Sequence, residues 1–332
     1  MAPPAGATID IALQMQLGNP SGAIADTNNH DHFLIQRTVE ALDYSDHLGE
    51  AVWASWDLTA GDVGGSGRNS TYYPDTNLPP NFYRVITDDY VGVGTNNFNR
   101  GHLCPSADRT DTTNNNKLVF FMSNIFPQSA LNNQGVWGNF EDYCRAMLTT
   151  NELLITCGGS GFGTRTIPSG KAFIPSNTWK VVVCVPLGNG LAISRITTAT
   201  RVIAISIPNV TNGLSSAWQT YVTSPQQIEQ DTGLAFFTAL NPNLAGVLRT
   251  KVDGVPPPLN PPPAFQSINF AGNQFTLVVT GAVATYTIST ATNLADPQWS
   301  TLVTTNYPSL PFTFEDTNIA LPQRFYRVQM TP

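Results

Sequence analysis

Apolar residues along this chain mostly recur in short blocks. AVWASWDLTA (51–60) is apolar at alternate positions, the period of a half-buried strand. FYRVI (82–86) and LVFFMSNI (118–125) predict further strands. WKVVVCVPLG (179–188) and RVIAISIPN (201–209) are apolar at nearly every position, which predicts strands buried on both faces. In NNQGVWGNFEDYCRAMLTT (132–150) the period changes. Trp137, Phe140, Cys144 and Met147 fall three or four apart and predict one apolar stripe on a helix. SPQQIEQDTG (224–233) carries helix punctuation: Ser224 as N-cap, Pro225 at the first position, Gln227 three beyond the cap, Gly233 at the end. Strands and helices alternate without βαβ regularity, so the fold class expected is α+β.

VPPPLNPPPA (255–264) interrupts this pattern with six prolines in ten residues, which favour an extended, semi-rigid spacer. It divides a large domain (1–254), a linker (255–263) and a small domain (264–332). The small domain reads as strand throughout: QFTLVVTG, ATYTISTATN, WSTLVTT, FTFEDT and RFYRVQM are β-branched and aromatic, with turn residues between them. That spacing predicts an all-β sandwich. No His, Cys or carboxylate cluster lies in it. The expected role is an accessory module that binds a surface or glycan or serves sorting.

Composition narrows the setting. The chain has 332 residues, 41% of them hydrophobic, enough for more than one core. Charged residues are 12%, against about 25% in ordinary soluble domains. Asn, Thr, Ser, Gly and Pro take their place, a balance common outside cells. A net charge of −7 argues against a nucleic-acid coat or scaffold and leaves room for a local cationic site. No run of eighteen apolar residues occurs, so no membrane-spanning helix is expected. MAPPAGATID lacks the charged and apolar regions of a signal peptide. Two settings stay open, a cytoplasmic protein or a secreted bacterial one whose signal is absent from this sequence, and the composition favours the second.

The four cysteines, Cys104, Cys144, Cys157 and Cys184, include no C-x-x-C pair. Two alternatives stay open: buried free thiols, or disulfides pairing Cys157 with Cys184 and Cys104 with Cys144.

The densest polar cluster is NNFNRGHLCPSADRT (96–110). Arg100 and His102 are two apart and would share one face of a strand. An imidazole titrates near neutrality and can take a proton from water. A guanidinium fork suits phosphate oxygens. A lone histidine is more often structural, so a second segment is needed. MSNIFPQSALNNQGVWGNFEDYCR (122–145) supplies it with Asn124, Asn133, Glu141 and Arg145. Glu141 and Arg145 are four apart, and Asn133 lies eight before Glu141, about two helical turns. An amide oxygen, a carboxylate and a guanidinium on one stripe can serve a hydrated hard cation and a phosphate together. Alone, the same residues would read as a helix cap and a surface salt bridge.

Together the segments resemble the DNA/RNA non-specific endonucleases, the ββα-metal or His-Me finger nucleases, of the endonuclease G-like and bacterial secreted type. NRGHLCPSADRT is similar to the family's Asp-Arg-Gly-His signature, and SNIFPQSALNNQGVWGNFEDYCR to its second motif. The resemblance is tight over about 45 residues and looser from LGNPSG (17–22) to Gly233-Leu234. It implies a ββα-metal nuclease domain around a mixed or antiparallel sheet. It implies His102 as general base, Asn133 as the direct ligand of magnesium (or manganese), and Glu141 as holder of metal-bound waters. Arg100 and Arg145 would bind phosphates, Arg68 in GGSGRNSTYYPD (64–75) would stabilise the transition state, and Asn124 would shape the site beside the metal. The implied activity is sequence- and sugar-independent hydrolysis of DNA and RNA to 5′-phosphate products. One position departs: Asn99 stands where the signature has Asp, which keeps hydrogen bonding and loses charge. That departure alone supports a second expectation, a catalytically weakened nucleic-acid-binding protein. A third is a phosphodiesterase for some other ester.

Overall fold

The computed structural model describes residues 11–254, 263–271, 274–281, 284–295, 298–307, 311–317 and 323–331. The chain forms two compact units, Met1–Asp253 and Gly254–Pro332. Residues 255–262 of the proline-rich stretch lie outside the described residues.

Among the described residues the first unit has nine strands: β1 (Phe33–Gln36), β2 (Ala41–Ser45), β3 (Glu50–Leu58), β4 (Phe98–His102), β5 (Ile125–Ser129), β6 (Asn151–Ser160), β7 (Asn177–Pro186), β8 (Arg201–Pro208) and β9 (Val222–Thr223). Its helices are α1 (Thr113–Leu118), α2 (Gly138–Ala146), α3 (Pro225–Thr232) and α4 (Pro242–Arg249). Seven strands form one sheet in the order β1-β2-β3-β6-β7-β8-β9, antiparallel throughout. β4 and β5 pair separately as an antiparallel ribbon. From this ribbon the chain reaches α2 through residues 130–137.

Both faces of the large sheet are covered. One carries Trp56, Phe120, Phe126, Trp137 and Phe140. The other carries Trp53, Trp179 and Phe236, with Ile228 of α3 and Leu248 of α4 over them. Burying each aliphatic or Phe side chain here contributes about 1.5–3 kcal/mol. This explains β7 and β8, apolar at almost every position. It also corrects the half-buried expectation for 51–60: β3 forms, but its second face is covered too, with Trp53 in the second cluster and the Ile11–Met15 segment packed beside the strand, and nearly every residue is buried.

Two expected strands do not form. FYRVI (82–86) carries no strand; Phe82 and Val85 are simply buried in neighbouring clusters. LVFFMSNI (118–125) contains the end of α1, a turn and a 3-10 segment, Met122–Asn124, before β5 begins at Ile125. Val119 and Phe120 are fully buried, and the backbone there bonds to Tyr73: Tyr73 N donates to the Phe120 carbonyl and Met122 N to the Tyr73 carbonyl. Tertiary contacts override the local β pattern.

The helix expected over 132–150 is interrupted. A π-helical turn, Asn132–Trp137, precedes α2, and Gly135 (φ −107°, ψ −108°) breaks the helical path between them. Such turns are frequent at functional sites. The apolar stripe holds: Trp137, Phe140 and Cys144 are buried and Met147 packs beside them. α3 begins and ends as expected, with Ser224 Oγ accepting from Gln227 N and Gly233 left-handed at φ 76°.

All four cysteines are free and buried. The disulfide alternative fails on register. Cys184 of β7 lies opposite Leu153, four residues from Cys157 on β6. That offset is about 13 Å along the strand, beyond disulfide reach.

Among the described residues the second unit has six strands, β10 (Ala264–Ala271), β11 (Gln274–Thr280), β12 (Ala284–Ala291), β13 (Ser300–Tyr307), β14 (Phe312–Asp316) and β15 (Phe325–Thr331). They form two three-stranded antiparallel sheets, β10-β11-β14 and β13-β12-β15. Leu277, Val279, Tyr286, Ile288 and Phe312 from both sheets make its core.

Candidate active site

The β4–β5 ribbon, the loop carrying Arg68 and the segment leading into α2 enclose a cleft of about 720 Å³. Arg68, Asn99, Arg100, His102, Asn133 and Glu141 line it, together with Asp88, Tyr90 and Val91.

β4 presents Arg100 and His102 to the cleft from one face, as the two-residue spacing predicted. The glycine between them is a packing requirement. A Cβ on Gly101 would lie 2.3 Å from Gln128 Oε1 and 2.7 Å from Gln128 Cβ. Gln128 is buried there and donates from Nε2 to Asn132 Oδ1 (3.0 Å), tying the ribbon to the π-helical turn.

His102 is 7% exposed, and its Nε2 has no hydrogen-bond partner. Two rings hold the imidazole: Phe120 edge-on at 4.7 Å and Tyr72 at 5.6 Å. The same rings support the arginines. The Arg68 guanidinium lies 5.2 Å from the Phe120 centroid, and that of Arg100 4.4 Å from Tyr72. Burial, then Arg68, then Arg100 pull the His102 pKa down to about 3. The ring is therefore neutral, with an unpaired lone pair or N–H at Nε2 beside two cations.

Asn133 donates from Nδ2 to Asn99 Oδ1 (3.1 Å), and Gln134 Nε2 donates to the same oxygen (3.0 Å). Asn99 thus orients the Asn133 amide through an acceptor that carries no charge. Neighbouring Asn132 is committed elsewhere: fully buried, it accepts from Gln128 and donates to Thr178 Oγ1 (2.8 Å). Glu141 Oε1 lies 3.3 Å from Lys180 Nζ. Burial pushes the Glu141 carboxyl up, and Lys180 pulls it back only in part. Burial works against the charge on Lys180, but Glu141 and its neighbours more than reverse this, so the lysine stays an ammonium.

Two expected site residues are not brought to the cleft. Asn124 is fully buried, and its amide is used by backbone: Oδ1 accepts from Cys104 N (2.9 Å), and Nδ2 donates to the carbonyls of Cys104 (2.9 Å) and Val119 (2.8 Å). It fixes the chain just after His102 from behind the cleft. Arg145 does not line the cleft. Its guanidinium is engaged by Asp108 (2.7 Å) and Asp142 (2.5 Å). From the sequence no role is assigned to Tyr72, Phe120 or Lys180, nor to Gln128, although Gln128 stands in the second motif. Lys180 leaves a trace as one charge inside an apolar strand.

Comparison with known proteins gives this cleft a family. The profile of the DNA/RNA non-specific endonucleases matches residues 20–243. A nuclease of Nostoc is 38% identical over 244 residues, 73% of this chain and 87% of its own length. The human mitochondrial nuclease EXOG is 26% identical over 221 residues, 61% of this chain and 56% of its own length. Bovine mitochondrial endonuclease G is 24% identical over 217 residues, 61% of this chain and 68% of its own length. Endonuclease G in complex with its inhibitor EndoGI has the same fold, with a TM-score of 0.58 at 18% identity, over 70% of this chain and 94% of that one. The chain belongs to the DNA/RNA non-specific endonuclease family and is, by that membership, a hydrolase. Among the described residues no helix is long and apolar enough to cross a membrane.

Proposed function

We propose that the cleft hydrolyses phosphodiester bonds in DNA and RNA with the help of magnesium or manganese, and that β4, β5 and α2 act as a ββα-metal finger. The observation that carries this reading is the buried, unpaired Nε2 of His102 between Arg68 and Arg100. His102 takes the proton of the attacking water. Its basicity rises when phosphate offsets the two guanidiniums that hold it down. Arg68 and Arg100 meet the non-bridging oxygens, where charge accumulates in the transition state.

The donor set fits a hard, hydrated cation. With its NH₂ engaged by Asn99, Asn133 offers its carbonyl oxygen, and Glu141 offers a carboxylate edge to coordinated water. No group of three or more His, Cys, Asp or Glu suited to a metal occurs among the described residues. A cation held here keeps most of its water, the habit of magnesium. When bound it supplies Lewis-acid charge at the phosphate and the leaving 3′ oxygen.

Contacts to backbone oxygens carry no base information, so cutting is sequence-independent. Affinity rests on local cations against a net charge of −7 and falls with salt. The weakened-binder reading rested on Asn99, and Asn99 keeps the positioning role by accepting from both Asn133 and Gln134. Analysis of the product ends tests the reading. The expected products of plasmid and RNA carry 5′-phosphate and 3′-hydroxyl ends. Cleavage of small aryl phosphodiesters with nucleic acid left intact would overturn the substrate assignment.

A further inference from the structure

We propose that Lys180 is a positioning residue that grips Glu141 Oε1 from inside the sheet and turns the rest of the carboxylate to the cleft. Lys180 lies in the middle of β7, opposite Cys157 of β6 and Ile205 of β8. Its side chain is 1% exposed. Its ammonium meets Glu141 Oε1 at 3.3 Å and the ring faces of Trp137 at 4.3 Å and Trp56 at 5.3 Å. An apolar residue would serve the stability of this strand as well or better, since buried charges lose their hydration. The cation is explained by what it holds.

The register strengthens the case. Thr178 and Lys180 are two apart on β7 and share a face, about 7 Å from one another. Thr178 accepts from Asn132, the residue before Asn133, and Lys180 holds Glu141. Two alternate positions on one face of a single strand thus anchor the segment on both sides of the Gly135 break. Without such anchors, the non-helical backbone at Gly135 would leave the Asn133-to-Glu141 distance unset.

This inference rests on the metal-dependent reading. The test titrates Mn²⁺ into the full-length protein by calorimetry, for wild type, Lys180→Met, Glu141→Gln and the double variant, with a denaturation curve for each. Loss of an outer partner costs about tenfold or more in metal affinity. The expected result is about tenfold weaker Mn²⁺ binding in K180M, with the double variant equal to E141Q within about twofold because the two residues act as one unit. Wild-type affinity in K180M overturns the inference, as does a double variant weaker than E141Q by the full K180M factor. If K180M does not fold, E141Q against the double variant, which leaves no unpaired buried charge, decides alone. Absence of Mn²⁺ binding by wild type overturns the metal reading together with this inference. Wild-type binding that K180M leaves unchanged overturns only the inference.

Discussion

The cleft of the first unit and the sandwich of the second are both built on short antiparallel strands, yet they treat polar groups differently. In the sandwich the carboxylate Asp316 is met by Arg324 (2.5 Å) and the Tyr326 hydroxyl (2.9 Å). In the cleft, buried His102 keeps Nε2 unpaired beside Arg68 and Arg100, and a lysine is spent under Glu141. Local pattern and final structure agree almost everywhere in the sandwich. In the first unit they disagree at 51–60, 82–86, 118–125 and Gly135, and the last two bear on the cleft, through Phe120 against His102 and through the break before α2. Sites of function are where locally consistent rules are expected to fail.

The sharpest way to break the contrast is His102→Ala. Loss of a general base costs about 10²–10⁴-fold. The variant should retain its fold by circular dichroism and lose at least that lower bound in rate on plasmid and RNA. Wild-type rates would place the chemistry elsewhere.

The unpaired imidazole also has a thermodynamic signature. Its pKa is lowered to about 3 by burial and by the two arginines. The folded state therefore stays neutral while the unfolded chain takes up a proton below about 6.5. Stability present above pH 6.5 is lost as the pH falls toward 3. Between pH 7 and pH 5, urea unfolding should show wild type losing about 2 kcal/mol more than H102A. Equal losses would mean that the ring is not held neutral.

Asn99→Asp sharpens the comparison from the other side. The carboxylate can accept from Asn133 and Gln134 as the amide does, and it adds a charge worth about 0.5–1 kcal/mol at a partly exposed site. Activity at limiting Mg²⁺ should rise about two- to fivefold. A fall would show that the amide is specifically required. The smallest effect is expected on removing residues 264–332: the rate on plasmid should stay within about twofold if catalysis is confined to the first unit, whose core clusters are internal to it. Loss of folding would contradict that confinement.

Much of this was legible in the chain. The spacing of Arg100 and His102 predicted their shared face, and Asn133 and Glu141 do line the same cleft. Five of the six described sandwich strands followed from β-branched blocks, and β10 (Ala264–Ala271), directly after the prolines, was not marked out. Three things were not legible. Arg145 sits at helical spacing from Glu141, but Asp108, distant in sequence, captures it. Asn124 is a motif residue whose amide is consumed by backbone groups that only the fold brings near. Lys180 is seen as a partner of Glu141 only once β7 is placed beneath α2. Each depends on long-range pairing, which periodicity does not encode.

The most direct test of the account is plasmid cleavage by the purified full-length protein with Mg²⁺ and with EDTA. The account predicts conversion of supercoiled DNA to nicked and then fragmented forms in Mg²⁺, and none in EDTA. Intact plasmid under both conditions, with DNA bound, would contradict it and return the cleft to the role of a binding groove.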